Sequence, residues 1–330
     1  MSSVLKVVDL VKWFPLRKGL FQTVVRRNTS YIKAVDRISF EVNREEVVGL
    51  VGESGCGKTT TGKLIARLLD PTSGEAYFAG ENIFSLERAR LRHFRRSLQM
   101  ILQDPYESLN PRKTVYNTLE EPLKIHKIYR DKSEIRERIS KVMEDVALVP
   151  PEAFLDKYPP QLSGGQRQRV FVARALMLDP SFIIADEPVS MLDVSVRGGI
   201  LNLMREMKKR RKISFIFITH DLSVSWYICD RIVVMYLGKI VESGSSDSII
   251  KEPKHPYTKA LVAVAPTIDP YTKHYSMVDK VIKDEVFTQG SDVSGCRFHP
   301  RCPLAKRICK TEEPELRKLR KRQVACHLVG

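Results

Sequence analysis

Eight residues, Gly52-Glu53-Ser54-Gly55-Cys56-Gly57-Lys58-Thr59, carry the spacing G-x-x-x-x-G-K-[ST]. That spacing follows from phosphate chemistry. Gly52, Gly55 and Gly57 admit backbone turns that a Cβ would block. The amides turned inward form an anion nest at the start of the following helix. Lys58 reaches β- and γ-phosphates, and Thr59 offers its hydroxyl to Mg²⁺. Ser54, Cys56 and Thr60 belong to the same nucleotide-binding stretch, with Cys56 read as a small packing residue, not a redox switch. The motif speaks for a bound nucleotide and is silent on its use.

Two further constellations sharpen this. Phe182-Ile183-Ile184-Ala185-Asp186-Glu187 is four apolar residues ending in two carboxylates. A buried strand that delivers Asp186 at its end can hold Mg²⁺ directly or through water. Glu187 is then placed to polarise a water as a general base. Leu162-Ser163-Gly164-Gly165-Gln166 precedes a helical stretch, Gln166–Leu178, and makes a second anion-binding helix start. One nucleotide needs one phosphate loop. The second site therefore makes sense if it closes on a nucleotide held by another subunit.

These groups need elements to place them. Glu46–Val51 and Phe182–Ala185 read as buried strands, as do Ile213–Ile218 and Ile232–Leu237. Val4–Leu10 and Lys33–Val42 are earlier strands, separated by a basic loop, Arg17–Ser30. Thr60–Leu69 follows the phosphate loop as a helix. Glu81–Gln99 and Lys132–Val146 have helical apolar spacing, the latter through Ile135, Ile139, Val142 and Val146. Strand–loop–helix, a helical insert, then strands again is the pattern of a parallel α/β core carrying an inserted helical subdomain. Beyond Gly244 the prolines 253, 256, 266 and 270 and a cysteine cluster mark a change, which places a boundary near Ser245–Ser248.

Composition narrows the class. With 330 residues, 43% hydrophobic and 28% charged, the chain is sized for two domains of a globular protein. No apolar run approaches the roughly 18 residues of a membrane span. The N-terminus has no secretion-signal pattern, which places the protein in the cytoplasm. The net charge of +16 concentrates in Arg88–Arg96, Arg205–Lys212 and Arg317–Arg322. These read as solvated helix faces, with an anionic membrane surface as the alternative. No stacking-aromatic motif, zinc finger or recognition helix accompanies them, so no nucleic-acid partner is expected.

The order and spacing of the phosphate loop, LSGGQ and the acidic strand resemble the ATP-binding subunits of ABC transporters, whose signature motif is LSGGQ. The resemblance implies a P-loop ATPase with a RecA-like core, an antiparallel β subdomain and an inserted helical subdomain at about 104–177. The nucleotide-binding domain would span 1–245 and a permease-family extension 246–330. Further assignments follow from it. Gln103, in Ile101-Leu102-Gln103-Asp104-Pro105, matches the Q-loop glutamine that senses Mg²⁺ and the attacking water. Asp193 matches the D-loop aspartate, with Met191 where alanine is common. His220, before Asp221, matches the switch histidine at the γ-phosphate. Phe14 matches the aromatic that stacks on adenine, with Trp13 and Tyr31 as alternatives. Mg²⁺ would be shared by Thr59, Gln103 and Asp186, and Ser163, Gly164, Gly165 and Gln166 would close over a partner's ATP.

The stretches GLVGESGCGK, QDPYESLNPR and His255-Pro256-Tyr257-Thr258 are similar to the oligopeptide/dipeptide permease branch. The long N-terminal loop with Pro15-Leu16-Arg17-Lys18-Gly19 is similar to its F-type subunit. This implies an importer of peptides or of a related solute such as nickel or oligosaccharides. It also implies a D-type partner ATPase, two membrane subunits, a solute-binding protein and a place at the cytoplasmic face of the membrane. Segment 103–112 would seat a membrane subunit's coupling helix. A soluble ABC ATPase acting on ribosomes or DNA is a rival, but neither a second cassette nor a long coiled-coil insert is present. A redox-sensing module is another rival.

That last rival rests on Cys296, Cys302, Cys309 and Cys326, spaced C-x5-C-x6-C-x16-C. A cytosolic chain does not rely on disulfides, so clustered thiols suggest zinc or an iron–sulfur cluster. Neither the usual C-x2-C zinc pairs nor a ferredoxin spacing occurs. Gly295–Pro303 with Ala325-Cys326-His327 resembles the permease-family extension that carries a 4Fe-4S cluster, which is the reading taken, with Zn²⁺ and no metal as alternatives. His299 and His327 are substitute ligands or structural residues.

Overall fold

The computed structural model describes residues 3–16, 31–103, 109–129, 131–265 and 293–329. The loop Arg17–Ser30, residues 104–108 of the Q-loop segment and the prolines at 266 and 270 lie outside the described residues. In chain order the described part begins with β1 (Ser3–Pro15), β2 (Tyr31–Asn43), β3 (Val47–Val51), α1 (Lys58–Ile65), β4 (Ser73–Phe78), β5 (Glu81–Asn82), α2 (Arg88–Ser97) and β6 (Leu98–Ile101). Helices α3 (Val115–His126), α4 (Lys132–Asp145), α5 (Glu152–Leu155) and α6 (Gly164–Leu176) follow. Next come β7 (Phe182–Asp186), α7 (Val194–Arg211), β8 (Ser214–Thr219), α8 (Leu222–Ile228), β9 (Arg231–Tyr236) and β10 (Lys239–Ser245). The chain closes with α9 (Ser246–Lys251), α10 (Pro256–Val264), α11 (Arg307–Thr311), β11 (Arg317–Leu319) and β12 (Arg322–Val324). Among the described residues no helix is long and apolar enough to cross a membrane.

The chain divides into two compact units. One comprises mainly Asn43–Glu46 and Ser85–Phe217; the other comprises Ser3–Val42, Val47–Phe84 and the chain from Ile218 onward.

The second unit carries the phosphate loop. A four-stranded sheet runs β2-β1-β4-β5, with β1 and β4 antiparallel. A second sheet places β11, β12, β10, β9 and β3 side by side. β3 and β9 are parallel, paired from Val48↔Arg231 to Val51↔Val234, and the other pairs are antiparallel. All five residues of β3 are buried, as expected of an apolar strand covered on both faces. The strand delivers the phosphate loop at its C-terminal end, where open α/β sheets place their ligands.

The first unit carries the acidic strand. β6 and β7 pair in parallel from Leu98↔Phe182 to Ile101↔Ala185, and β7 is buried throughout. Around them α3, α4 and α6 pack together. Val115, Leu119 and Leu123 line one face of α3, and Ile135, Ile139, Val142 and Met143 one face of α4, all buried. The i, i+4 spacing puts each set on one stripe, and each such aliphatic group contributes about 1.5–3 kcal/mol on burial.

Three sequence expectations change. Glu81–Gln99 is not one helix. Residues 81–82 form β5, Ile83–Ser85 a 3₁₀ turn, and only Arg88–Ser97 is α-helical. Leu98–Ile101 is a strand because β7 offers it a partner, which outweighs local spacing. The run Arg317–Arg322 is not a helix face: it is the β11–β12 hairpin, turning at Arg320 with φ 55°. Arg205–Lys212 does lie on a helix, but it is only partly solvated. Four cations fill the last turn of α7, where the helix dipole favours them, and Arg211 pairs with both Asp145 and Asp179. Within the unit that holds the late cysteines, β12 extends the sheet on the edge of β10.

Candidate active site

The phosphate loop is shaped by backbone contacts that forbid side chains. Gly52, Gly55 and Gly57 have φ of 155°, 79° and 105°. A Cβ on Gly57 would stand 2.0 Å from the Ala34 carbonyl oxygen, and one on Gly52 2.2 Å from that of Met235. Lys58 opens α1 and is buried. Its Nζ donates to the carbonyls of Gly52 at 2.7 Å and Glu53 at 2.9 Å, so the loop curls around its own lysine. Such a glycine-shaped loop around one cation fits the β- and γ-phosphates of a nucleotide. Cys56 is 3% exposed, and burial pushes its thiol above the ordinary range although Lys58 opposes the shift. Ser54 is exposed, and Thr59 and Thr60 are half-buried.

The same unit holds the aromatic candidates and His220. The Trp13 and Tyr31 rings stand 6.2 Å apart, and the Lys12 ammonium lies 5.1 Å from the centroid of Phe14. His220 is exposed between β8 and α8, and Asp221 caps α8 by accepting from the amides of Ser223 and Val224.

The other unit holds the carboxylates and the second glycine motif. Asp186 ends β7 and is 1% exposed. Glu187 follows at φ 47°, a left-handed conformation that a non-glycine residue adopts at a cost. Gln103 Nε2 donates to its Oε2 at 3.3 Å. Thus two residues separated by 84 positions, a glutamine and a carboxylate, are brought together by the fold. Ser163 caps α6: its hydroxyl accepts from the Gln166 amide at 3.3 Å, while Gln166 Oε1 accepts from the Ser163 amide at 3.0 Å. This reciprocal capping box leaves both side chains engaged. Gly164 is half-buried. Gly165 is buried, and a Cβ there would stand 2.5 Å from Val196 Cγ1 of α7. Asp193 precedes α7 and is exposed, as is Met191, beside buried Leu192.

The four late thiols differ in exposure. Cys296 and Cys302 are half-buried, and Cys309 and Cys326 are buried. Burial first, then neighbouring thiols, pushes Cys296 up to about 11 and raises Cys302 and Cys326. Among the described residues no three His, Cys, Asp or Glu groups stand where one metal ion could be held, so a tetrahedral zinc site does not fit. A ring nitrogen of His299 lies 3.0 Å from the Cys296 carbonyl oxygen, and one of His327 lies 2.9 Å from that of Glu312.

Comparison with known proteins extends these observations. The family model described as ABC transporter matches residues 35–190, and the model for the oligopeptide/dipeptide transporter C-terminal region matches 241–309. The oligopeptide transport ATP-binding protein AppF of Bacillus subtilis is 43% identical over 99% of this chain and 98% of its own length. The chain belongs to the ABC transporter ATP-binding family. The dipeptide transport ATP-binding protein DppF of Haemophilus influenzae is 41% identical, covering 96% of this chain and 93% of its own. Among solved structures, cbiO1 of Clostridium perfringens superposes with a TM-score of 0.63 at 27% identity, over 76% of this chain and 92% of its own. A dimeric post-hydrolysis state of the ATP-binding cassette MJ0796, bound to ADP and Pi, also gives 0.63, at 28% identity over 73% and 98%. The fold is therefore that of an ABC ATPase cassette, and the chain is an ATP-hydrolysing subunit of an ABC transporter.

As an ABC ATPase, the chain carries a feature its motifs do not announce. Glu53, the second loop residue, accepts two hydrogen bonds from Arg301 and donates its amide to the Tyr257 hydroxyl at 2.9 Å. No short-range signal joins residues 204 and 248 positions apart.

Proposed function

We propose that this chain powers an importer of di- or oligopeptides, working against a second ATPase subunit of the D type on the cytoplasmic face of the membrane. Two permease subunits and a solute-binding protein complete the assembly. What supports this reading is likeness along nearly the whole chain to relatives named for oligopeptide and dipeptide transport, together with the match of 241–309 to that branch's C-terminal region.

In this reading Lys58 and the loop amides, with Ser54, Cys56 and Thr60 alongside, hold the phosphates. Phe14 stacks on adenine. Thr59, Gln103 and Asp186 share Mg²⁺, which neutralises developing charge when bound. Glu187 polarises the attacking water, Gln103 holds that carboxylate in register, and His220 meets the γ-phosphate. The partner's signature loop closes over the nucleotide, and Ser163–Gln166 of this chain serves the partner's site in return, with Asp193 bridging the pair. Phosphoryl transfer to water needs mostly positioning and charge stabilisation, so closure completes the site and delivers the stroke together. Uptake of labelled peptides by membranes reconstituted with the complete assembly tests the substrate class. A solute-binding protein from the same system that binds nickel or an oligosaccharide, and no peptide, would overturn it.

A second proposal concerns the thiols: Cys296, Cys302, Cys309 and Cys326 hold a 4Fe-4S cluster in a structural role, outside the ATPase chemistry. Its support is the resemblance of Gly295–Pro303 with Ala325-Cys326-His327 to the permease-family extension that carries such a cluster. Anaerobically purified protein lacking iron and sulfide would refute it.

A further inference from the structure

The phosphate loop is held from the C-terminal extension at one residue. Glu53 is fixed at three points. Its carbonyl accepts from Lys58 Nζ at 2.9 Å, its amide donates to Tyr257 Oη at 2.9 Å, and its carboxylate accepts from Arg301 Nη1 at 3.1 and 2.8 Å. The Arg301 side chain is 3% exposed and that of Glu53 23%, so this is a largely dry ion pair. The guanidinium lies 5.9 Å from the centroid of the Tyr236 ring.

The extension is built to present these groups. Tyr257 opens α10 behind His255, whose Nδ1 accepts the Tyr257 amide at 3.0 Å. Phe298, 1% exposed, packs against the rings of Tyr236, Tyr257 and His255 at centroid distances of 5.2, 5.4 and 5.7 Å. Arg301 ends the 3₁₀ turn that follows. Arg297 anchors the other end of the segment on the Leu237 carbonyl and the Asp36 carboxylate. Both arginines adjoin cysteines, Cys296 and Cys302, so the thiol-bearing turn sets where they point.

Charge gives the arrangement a purpose. An unpaired carboxylate in a phosphate loop would compete with phosphate for Lys58 and repel the incoming polyanion. We propose that Arg301 is a positioning residue for nucleotide binding: it neutralises Glu53 and holds it away from Lys58, making the C-terminal extension a working part of the phosphate site. This rests on the ATP-binding reading above.

The test is a double-mutant cycle on the full-length chain, with a fluorescent ATP analogue and Mg²⁺ as probe and thermal melting alongside. Arg301→Ala should weaken binding roughly tenfold, equivalent to about 1.4 kcal/mol. In the Glu53→Gln background the same change should alter Kd by less than about twofold, because no charge remains to be managed. A structural role alone would show as a matching loss and rescue of melting temperature with Kd of the folded protein unchanged. Should Arg301→Ala not yield folded protein, Arg301→Met, which keeps the buried stem, replaces it in both arms. Wild-type affinity in the arginine variant, or an equal loss in both backgrounds, would overturn the proposal while leaving ATP binding intact. Absence of binding by the wild type would instead remove the reading on which it rests.

Discussion

Replacing Gly165 with alanine tests whether the signature glycine is there for packing. In an ordinary helix the change stabilises by up to about 1 kcal/mol, because alanine loses less backbone entropy. Gly165 is the second residue of α6 and has no positive φ to protect. A Cβ there would lie 2.5 Å from Val196 Cγ1, with the other Val196 side-chain atoms at 3.7 Å. One methyl must therefore retreat by about 1 Å, which overpacking data place at about 1–3 kcal/mol. The two terms sum to a net loss of about 0–2 kcal/mol, opposite in sign to the propensity effect alone. Thermal melting should register a drop of about 2–4 °C per kcal/mol for a protein unit of this size. Val196→Ala removes the offending methyl, so Gly165→Ala made in that background should recover the propensity gain and raise the melting temperature. If Gly165→Ala by itself melts at or above wild type, Val196 simply rotates away and the close approach of α6 to α7 does not explain the glycine.

Other outcomes follow from the site. Glu187→Gln should keep nucleotide binding but slow turnover of the assembled transporter by roughly 10²-fold or more, as for a lost general base; near-normal phosphate release would exclude that role. Gly57→Ala should destabilise by at least about 3 kcal/mol, since φ is 105° and the Cβ would meet the backbone oxygen of Ala34. Gly55→Ala, at φ 79° with nothing within 4 Å, should cost only about 1–2 kcal/mol; equal melting temperatures would contradict the difference. Burial holds His255 down at about 3, well below its ordinary value. The unfolded chain therefore takes up a proton that the folded chain refuses as pH falls from about 6.5 towards 3. Stability lost through this residue should reach about 1.4 kcal/mol per pH unit in that window. His255→Asn keeps an acceptor for the Tyr257 amide and should flatten the acid limb of a denaturation series; an unchanged slope would count against it.

Much of this protein was legible because its chemistry is local. Phosphate binding needs turns and amides within a few residues, so Gly52–Thr59 declared itself in sequence. A strand that is apolar on both faces and ends in carboxylates did the same for Asp186 and Glu187. Helix periodicity over Lys132–Val146 was also reliable, since burial on one stripe leaves a repeat in the chain. What failed were segments whose state depends on a distant partner. Leu98–Ile101 became a strand because β7 lies beside it, and Arg317–Arg322 a hairpin because β10 has an open edge. Tertiary structure alone decided that Gln103 meets Glu187 and that Arg301 and Tyr257 meet Glu53. Hydrogen bonds and ion pairs act over a few ångströms in space and carry no mark of separation along the chain. The sequence therefore determined where the glycine loop, its lysine and the strand-end carboxylates stand along the chain, and only folding decided which residues hold those groups in place.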